Sequence, residues 1–107
     1  MLLCGIDVGT SSIKLSVVEA STKKIIHTCS FPETENEIIS NAPGYAEQDP
    51  EHWWFCVKQV IKMANATKKY NPLEISAIGI SYQMHGLVLV DKEKQSLRKS
   101  IIWCDSR

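Results

Sequence analysis

The sequence has no excess of charge of either sign and no long hydrophobic run. Its 107 residues include twelve Lys and Arg against twelve Asp and Glu, so the formal net charge is zero. This balance argues against a nucleic acid partner, because nucleic-acid-binding proteins usually present a strongly basic surface. No apolar stretch approaches the roughly 18–20 residues that cross a bilayer, which argues against a membrane partner. The apolar share of 44% is typical of a globular domain.

The sequence also lacks the cysteine spacing of zinc sites and the leader of secreted proteins. Its four cysteines, Cys4, Cys29, Cys56 and Cys104, are widely separated, and there is no C-x-x-C pair. The first residues, MLLCGIDVGT, have no basic segment ahead of their short apolar stretch, unlike a secretory signal peptide. We therefore predict a cytoplasmic location, no structural zinc, and reduced cysteines that are buried as small apolar side chains.

Three strands are predicted before residue 32, because short apolar or alternating runs are separated by turn residues. They span Leu2–Val8, Ile13–Glu19 and Lys24–Phe31. The third strand would place four side chains on one face: Ile25, His27, Cys29 and Phe31. Since both connections are short, we expect an antiparallel arrangement.

One helix is predicted after a long irregular segment at residues 32–48. Asp49 and Pro50 are typical of a helix start. Lys68 and Lys69 would lie at its negative end, before the stop at Asn71–Pro72. The apolar stripe comprises Trp53, Val57, Val60, Ile61 and Ala64.

A fourth strand, Ile75–Ser81, is expected to join the sheet as a central, buried member, because the helix-containing connection makes a crossover. Two further strands, Leu87–Val90 and Leu97–Trp103, would flank a charged turn. A single helix leaves one sheet face uncovered. Residues 1–107 are therefore predicted to be an incomplete domain and the N-terminal part of a larger protein.

The first candidate site is the segment Asp7–Lys14, which follows a buried strand. Its acid, glycine and hydroxyl residues suit a phosphate group and a hydrated Mg²⁺, but they suit a plain hairpin turn equally well. The sequence has neither G-x-x-x-x-G-K-[ST] nor G-x-G-x-x-G. These absences exclude a P-loop and a Rossmann phosphate site.

Two other polar segments follow predicted strands. Gln83 and His85 are placed to hydrogen-bond a sugar hydroxyl, although a single histidine after a strand is more often structural. Asp105 and Arg107 are interpreted as an ion pair or as a ligand contact. The tryptophan pair at 53–54 favours packing over sugar stacking.

Four blocks together resemble the N-terminal domain of the FGGY family of carbohydrate kinases. They are Gly5–Lys14, Tyr45–Trp54, Gly79–Gly86 and Ile101–Arg107. A D-x-G-T-S turn also occurs in actin-like and chaperone ATPases, whereas E-Q-D-P-x-x-W-W together with Q-M-H-G is specific. The resemblance implies an α/β, ribonuclease H-like (actin-like ATPase) fold with a mixed sheet, present here as a partial domain. It also implies a C-terminal kinase domain in the full-length chain.

By this resemblance Asp7 is a catalytic residue, the carboxylate that faces Mg²⁺ through a water. Gly9, Thr10, Ser11 and Lys14 would bind the phosphates of ATP. Glycerol kinases have arginine where this sequence has Lys14. Lysine cannot bind a phosphate through two N–H groups in a fixed plane as arginine does, so the contact expected at this position is weaker.

On the sugar side, Met84 and His85 match the pair that contacts a ketose in this family, and Gln83 precedes them. Glycerol kinases carry an Arg-Glu pair there, so Met-His argues against glycerol. Cys104 stands where relatives often have Asn or Gln, so the resemblance gives no polar contact at that position.

The implied activity is transfer of the γ-phosphoryl group of ATP to a ketopentose, with D-xylulose as the first expectation. The alternatives are a kinase for gluconate, ribulose or fuculose, an actin- or chaperone-like nucleotide-binding module, and an inactive sugar-binding relative. The family's catalytic base lies downstream, so the 107 residues alone are predicted to be inactive. A homodimer is left open.

Overall fold

The computed structural model describes residues 1–107. The strands are β1 (Leu2–Val8), β2 (Ile13–Glu19), β3 (Lys24–Phe31), β4 (Glu47–Gln48), β5 (Ile75–Tyr82) and β6 (Ser100–Ile101). The helix is α1 (Pro50–Ala66), and a short 3₁₀ turn spans Pro72–Glu74. The bounds of β1, β2 and β3 agree with the prediction, and β5 is one residue longer than predicted.

Four strands form one mixed sheet in the order β3-β2-β1-β5. The pairs β1–β2 and β2–β3 are antiparallel, and β1–β5 is parallel. A parallel pair requires a crossover, and the connection that contains α1 supplies it. The predicted antiparallel arrangement and the crossover are both confirmed.

The hydrophobic core lies between one face of this sheet and α1. Alternate side chains of β1 and β2 point toward the helix, because successive residues of a strand face opposite sides. The core members are Leu2, Cys4, Ile6, Ile13, Leu15, Val17, Cys56, Val60 and Ala64. The predicted helical stripe is confirmed at Val60 and Ala64, which are buried, and at Val57 and Ile61, which are partly buried and pack against the core. It also includes Cys56.

The cysteines are all free, but they do not share one environment. Cys4 and Cys56 are buried, and Cys29 is half-buried. Burial raises the pKa of all three thiols. Cys104 is exposed, so the prediction of burial is wrong there. It lies in a surface turn after β6, where nothing packs over it.

The face predicted for β3 is wrong at Ile25, which is 62% exposed. The β2–β3 register shifts so that Val17 opposes His27 while Val18 opposes Ile25. Ile26 is the extra residue and packs against the core instead. An irregularity of this kind reverses the faces of the residues on one side of it.

Helix α1 starts as predicted. The Asp49 carboxylate accepts a hydrogen bond from the N–H of Glu51 at 2.9 Å, and Pro50 is the first helical residue. The helix is neither long nor apolar enough to cross a membrane.

The end of α1 differs from the prediction. The helix stops at Ala66, Thr67 caps it, and its last turn has no basic residue. Lys68 adopts a left-handed backbone, with φ of 54°, which ends the helical path. Lys68 and Lys69 therefore lie beyond the last helical turn, in which they were expected to interact favourably with the negative end of the helix dipole.

The prediction that the strand after α1 is central and buried is wrong. β5 is the edge strand of the sheet, with β1 as its one neighbour. Ile78, Ile80 and Tyr82 are 60%, 64% and 71% exposed. Their side chains stay exposed because the core cluster under α1 is built from β1, β2 and α1.

Of the two strands predicted near the C-terminus, only Ser100–Ile101 is a strand. It pairs with β4 in a separate two-stranded sheet. Leu87 forms an isolated bridge with Ile101, and Val90 forms one with Ser96. Isolated bridges do not make a ladder, so the apolar run at 87–90 remains irregular and exposed.

Candidate active site

The carboxyl ends of β1 and β5 bring two of the sequence candidates together. In the parallel register Asp7 lies beside Ser81, and the Ser81 hydroxyl donates to Asp7 Oδ1 at 2.9 Å. The segment after β5, which carries Met84 and His85, therefore opens next to the segment after β1. Ligand sites in open α/β sheets lie at such strand ends.

A cleft of about 350 Å³ lies between these two segments. Its lining consists of Asp7, Val8, Gly9, Thr10, Tyr82, Gln83, Met84, His85 and Trp103. The acid, the start of the hydroxyl-rich turn and the Gln-Met-His segment thus share one cavity. Trp103, from the last sequence block, closes it by donating its indole N–H to the Thr10 hydroxyl at 2.9 Å.

Ser11 and Lys14 do not line this cleft. Ser11 is exposed on the turn, and its carbonyl accepts from the N–H of Asn36 at 2.7 Å. Lys14 opposes Asp7 across the β1–β2 ladder and lines a separate depression on the sheet face opposite α1. Asp7 borders both cavities.

Gly9 permits the sharp turn that follows β1. A Cβ at this position would lie 2.8 Å from the backbone oxygen of Ser12. Real Cβ atoms do not tolerate so close an approach, so any larger residue would force the turn open.

Gln83 is less available to a sugar than the sequence indicated. Its Nε2 donates to the Gly9 carbonyl and to Gln48 Oε1, both at 3.2 Å. Its Oε1 is buried and has no hydrogen-bond partner in the chain. The free group of Gln83 is therefore an acceptor.

Met84 and His85 are both exposed at the cleft. His85 has a φ of 61°, which a non-glycine residue adopts seldom. Such backbone conformations are commoner at functional sites than elsewhere.

An ion network that the sequence only partly indicated supports the base of the site. The expected Asp105–Arg107 ion pair is confirmed, with Oδ2 and Nη2 2.6 Å apart. Arg107 also contacts Glu47 at 3.0 Å and lies 3.7 Å above the ring of Tyr45. Arg98 is a further partner of Glu47.

These ion pairs act on the titration of the acids. The Arg107 guanidinium, with the N–H of Ala46 adding a hydrogen bond, holds the pKa of Asp105 well below its usual range. Arg107 and then Arg98 lower the pKa of Glu47. The two carboxylates are thus stabilised in their charged form and serve as structural anchors.

The family model described as "FGGY family of carbohydrate kinases, N-terminal domain" matches residues 2–107. The chain belongs to the FGGY family of carbohydrate kinases.

Within the FGGY family the chain is similar to several kinases. A xylulose kinase of Staphylococcus epidermidis is 39% identical over 106 residues, which cover 99% of this chain and 21% of the relative. The crystal structure of a "xyloylose kinase" from Brucella ovis matches with a TM-score of 0.90 and 31% identity, covering 100% of this chain and 22% of that one. The crystal structure of a gluconate kinase from Lactobacillus acidophilus matches with a TM-score of 0.80 and 30% identity, covering 97% of this chain and 20% of that one.

These neighbours confirm the actin-like ATPase fold class. The chain forms part of a domain of that fold. The chain spans about one fifth of the length of the curated relatives it matches.

The residues of the FGGY turn fit the phosphates of ATP and a hydrated magnesium ion. The N–H groups of Thr10, Ser11 and Ser12 donate to no acceptor in the chain, which leaves them available to phosphate oxygens. The chain has no cluster of three or more His, Cys, Asp or Glu residues that could enclose a metal by itself. Mg²⁺ is commonly held by one or two carboxylates together with substrate phosphates and water, so Asp7 alone suits that role.

Proposed function

We propose that the full-length protein is an ATP-dependent sugar kinase whose acceptor is a ketopentose, D-xylulose giving D-xylulose 5-phosphate. The observation that carries this proposal is the shared cleft at the ends of β1 and β5. One wall holds Asp7 and the turn with free N–H groups, and the other holds Met84 and His85. A kinase requires a phosphate site and an acceptor site within contact of each other.

On the phosphate side, the chain's own residues bind and orient ATP. The backbone N–H groups of Thr10 and Ser11 would donate to phosphate oxygens. Lys14, on the same sheet face as Asp7, adds positive charge toward the triphosphate. Mg²⁺, when bound near Asp7, would neutralise charge on the transferring phosphoryl group.

On the acceptor side, His85 would hydrogen-bond sugar hydroxyls and Met84 would pack against the carbon chain. Gln83, whose Oε1 is enclosed, would hold this segment against the turn through the Gly9 carbonyl. In the reaction the sugar oxygen bonds to the γ-phosphorus, the bond to the β–γ bridging oxygen breaks, and ADP leaves. The hydroxyl proton passes to a carboxylate base that we place in the C-terminal kinase domain, outside residues 1–107. Closure of the two domains would exclude water. Use of ATP is in keeping with a cytoplasmic location.

The choice of D-xylulose is supported by two observations. Met84 and His85 stand where glycerol kinases carry an Arg-Glu pair. The relatives from Staphylococcus epidermidis and Escherichia coli, at 39% and 36% identity, are named xylulose kinase. Likeness to the gluconate kinase from Lactobacillus acidophilus makes gluconate the main alternative.

The test is sugar-dependent ADP formation by the full-length protein with D-xylulose, D-ribulose, L-fuculose, gluconate and glycerol. We expect D-xylulose to give the highest kcat/KM. In His85→Ala the KM for the sugar should rise about tenfold or more while the KM for ATP changes less than about twofold, because a lost substrate hydrogen bond affects one substrate only. The control is Met63→Ala, which changes a partly exposed methionine of α1 and should leave both KM values unchanged.

Two results would count against this assignment. ATP binding without phosphorylation of any sugar would favour a nucleotide-binding module or an inactive relative. A His85→Ala variant that loses ATP affinity and keeps sugar affinity would show that His85 does not bind the sugar.

A further inference from the structure

Gln48 lies at the centre of a hydrogen-bond network directly beneath the candidate phosphate turn. Its side chain is almost fully enclosed, since the residue is 3% exposed. It contacts four groups from separate parts of the chain: the Thr10 carbonyl at 2.9 Å, the Glu37 carbonyl at 3.3 Å, the Trp53 indole nitrogen at 2.9 Å and Gln83 Nε2 at 3.2 Å. A buried amide with all its groups paired holds its neighbours in one arrangement.

The chemistry of the partners permits only one orientation of this amide. The Trp53 indole N–H can only donate, so it must face Gln48 Oε1. Gln48 Nε2 must then face the Thr10 and Glu37 carbonyls, both of which can only accept. Gln83 is oriented in turn, since its Nε2 donates to Gln48 Oε1 and to the Gly9 carbonyl. The Trp53 donor and the two carbonyls therefore set the direction of Gln48, and Gln48 in turn orients Gln83.

This network holds three successive carbonyls of the turn. Those of Gly9 and Thr10 accept from the two glutamines, and that of Ser11 accepts from the N–H of Asn36. The peptide bonds concerned are trans, so each N–H points in the direction opposite to the carbonyl of the preceding residue, which belongs to the same peptide group. The N–H groups of Thr10, Ser11 and Ser12 are thereby directed away from Gln83, Gln48 and Asn36, respectively. Consecutive N–H groups presented in this way form an anion-binding concavity.

We propose that Gln48 is a positioning residue for the ATP phosphates. Kept in one orientation by Trp53 and the Glu37 carbonyl, it fixes the peptide planes of the turn directly through Thr10 and indirectly through Gln83, so that the free N–H groups meet the phosphate oxygens. This role rests on the proposed kinase function but not on the identity of the sugar. Gln48 itself touches neither substrate.

The first test is Gln48→Glu in the full-length protein. The carboxylate has the same size but cannot donate to the Thr10 and Glu37 carbonyls, so the turn should lose its fixed orientation. We expect Mg-ATP affinity, measured by calorimetry, and kcat/KM for ATP to fall about tenfold, in keeping with a lost buried hydrogen bond. The KM for the sugar should stay within about twofold. Gln95→Glu, an exposed glutamine in the turn after residue 90, is the matched control and should change neither.

The second test is Trp53→Phe, which keeps an aromatic ring and removes one of the two donors to Gln48 Oε1. Gln48 is then held less firmly, although its bonds to the Thr10 and Glu37 carbonyls remain. ATP affinity should therefore fall about threefold, less than in Gln48→Glu. In Gln48→Glu combined with Trp53→Phe the losses should be less than additive, because both changes act on one network.

Unchanged ATP affinity in both variants would overturn the proposal, as would equal losses toward ATP and sugar. If Gln48→Glu does not fold, unchanged ATP affinity in Trp53→Phe overturns the proposal by itself. A wild-type protein that binds Mg-ATP but phosphorylates no sugar would refute the proposed kinase function, while the calorimetric comparison would still decide the role of Gln48. A wild-type protein that does not bind Mg-ATP would refute both.

Discussion

At the scale of single residues, the most constrained acids lie outside the candidate cleft. Glu47 and Asp105 lie far apart in the sequence and are joined by Arg107, which contacts both carboxylates. The Asp105 side chain is 4% exposed and that of Glu47 is 9% exposed. Because charged groups at such positions require partners, this network is a structural requirement of the segment that leads into α1.

The pH dependence of this network has a definite sign. The folded-state pKa of both acids lies below the ordinary value, so they contribute stability above the pKa of the unfolded chain and lose it as pH falls. In Asp105→Asn of the full-length protein, we expect a lower thermal midpoint than wild type at pH 7. The difference should shrink below about pH 4, because Asp105 then begins to protonate in the unfolded wild-type chain while it stays ionised in the folded protein.

The measurement is the thermal midpoint of wild type and variant between pH 7 and pH 3. Glu35→Gln, which changes an exposed acid, is the control and should follow the wild-type curve at each pH. A difference between Asp105→Asn and wild type that stays constant down to pH 3 would show that the ionised state of Asp105 is not what stabilises the fold.

At the scale of elements, local sequence signals predicted the parts of the fold that local interactions decide. The start of α1 follows from Asp49 and Pro50, and the first three strands follow from their alternation. The errors concern pairing between segments. The exposure of Ile25 results from a register shift against β2, and the edge position of β5 results from which elements cover it. Neither can be deduced from a strand's own residues.

The cap of α1 gives a prediction at this scale. Asp49→Ala removes the acceptor for the Glu51 N–H, so the free energy of unfolding should fall by about 1 kcal/mol. Asp49→Ser supplies an equivalent acceptor and should retain most of that stability. Chemical denaturation of the full-length variants measures both, and equal losses in the two variants would contradict the capping role.

At the scale of the whole molecule, one side of the sheet is open. The edge of β5 is unpaired, and Ile78, Ile80 and Tyr82 lie exposed on it. A cavity of about 550 Å³, lined mostly by apolar side chains, lies next to it between β5 and α1. An unpaired edge with adjoining apolar surface promotes association with other chains.

We therefore expect residues 1–107, expressed alone, to self-associate and to show no sugar-dependent use of ATP. The second expectation follows because the proposed base lies outside these residues. Sedimentation analysis and an ADP-release assay test the two expectations separately, with the full-length protein as the comparison. A monomeric and catalytically active 107-residue chain would contradict both.

The sequence by itself determined the strands β1, β2, β3 and β5, the crossover helix and the placement of Asp7, Met84 and His85 at strand ends, because alternation, capping and connection length are local properties. Only the tertiary structure decided that these ends share one cleft, that Lys14 lies outside it, and that Gln48 and Glu47 anchor the site. The reason is physical: the hydrogen bonds and ion pairs of Gln48 and Glu47 join residues far apart in the chain. Their partners therefore depend on how the segments pack and not on any spacing along the sequence.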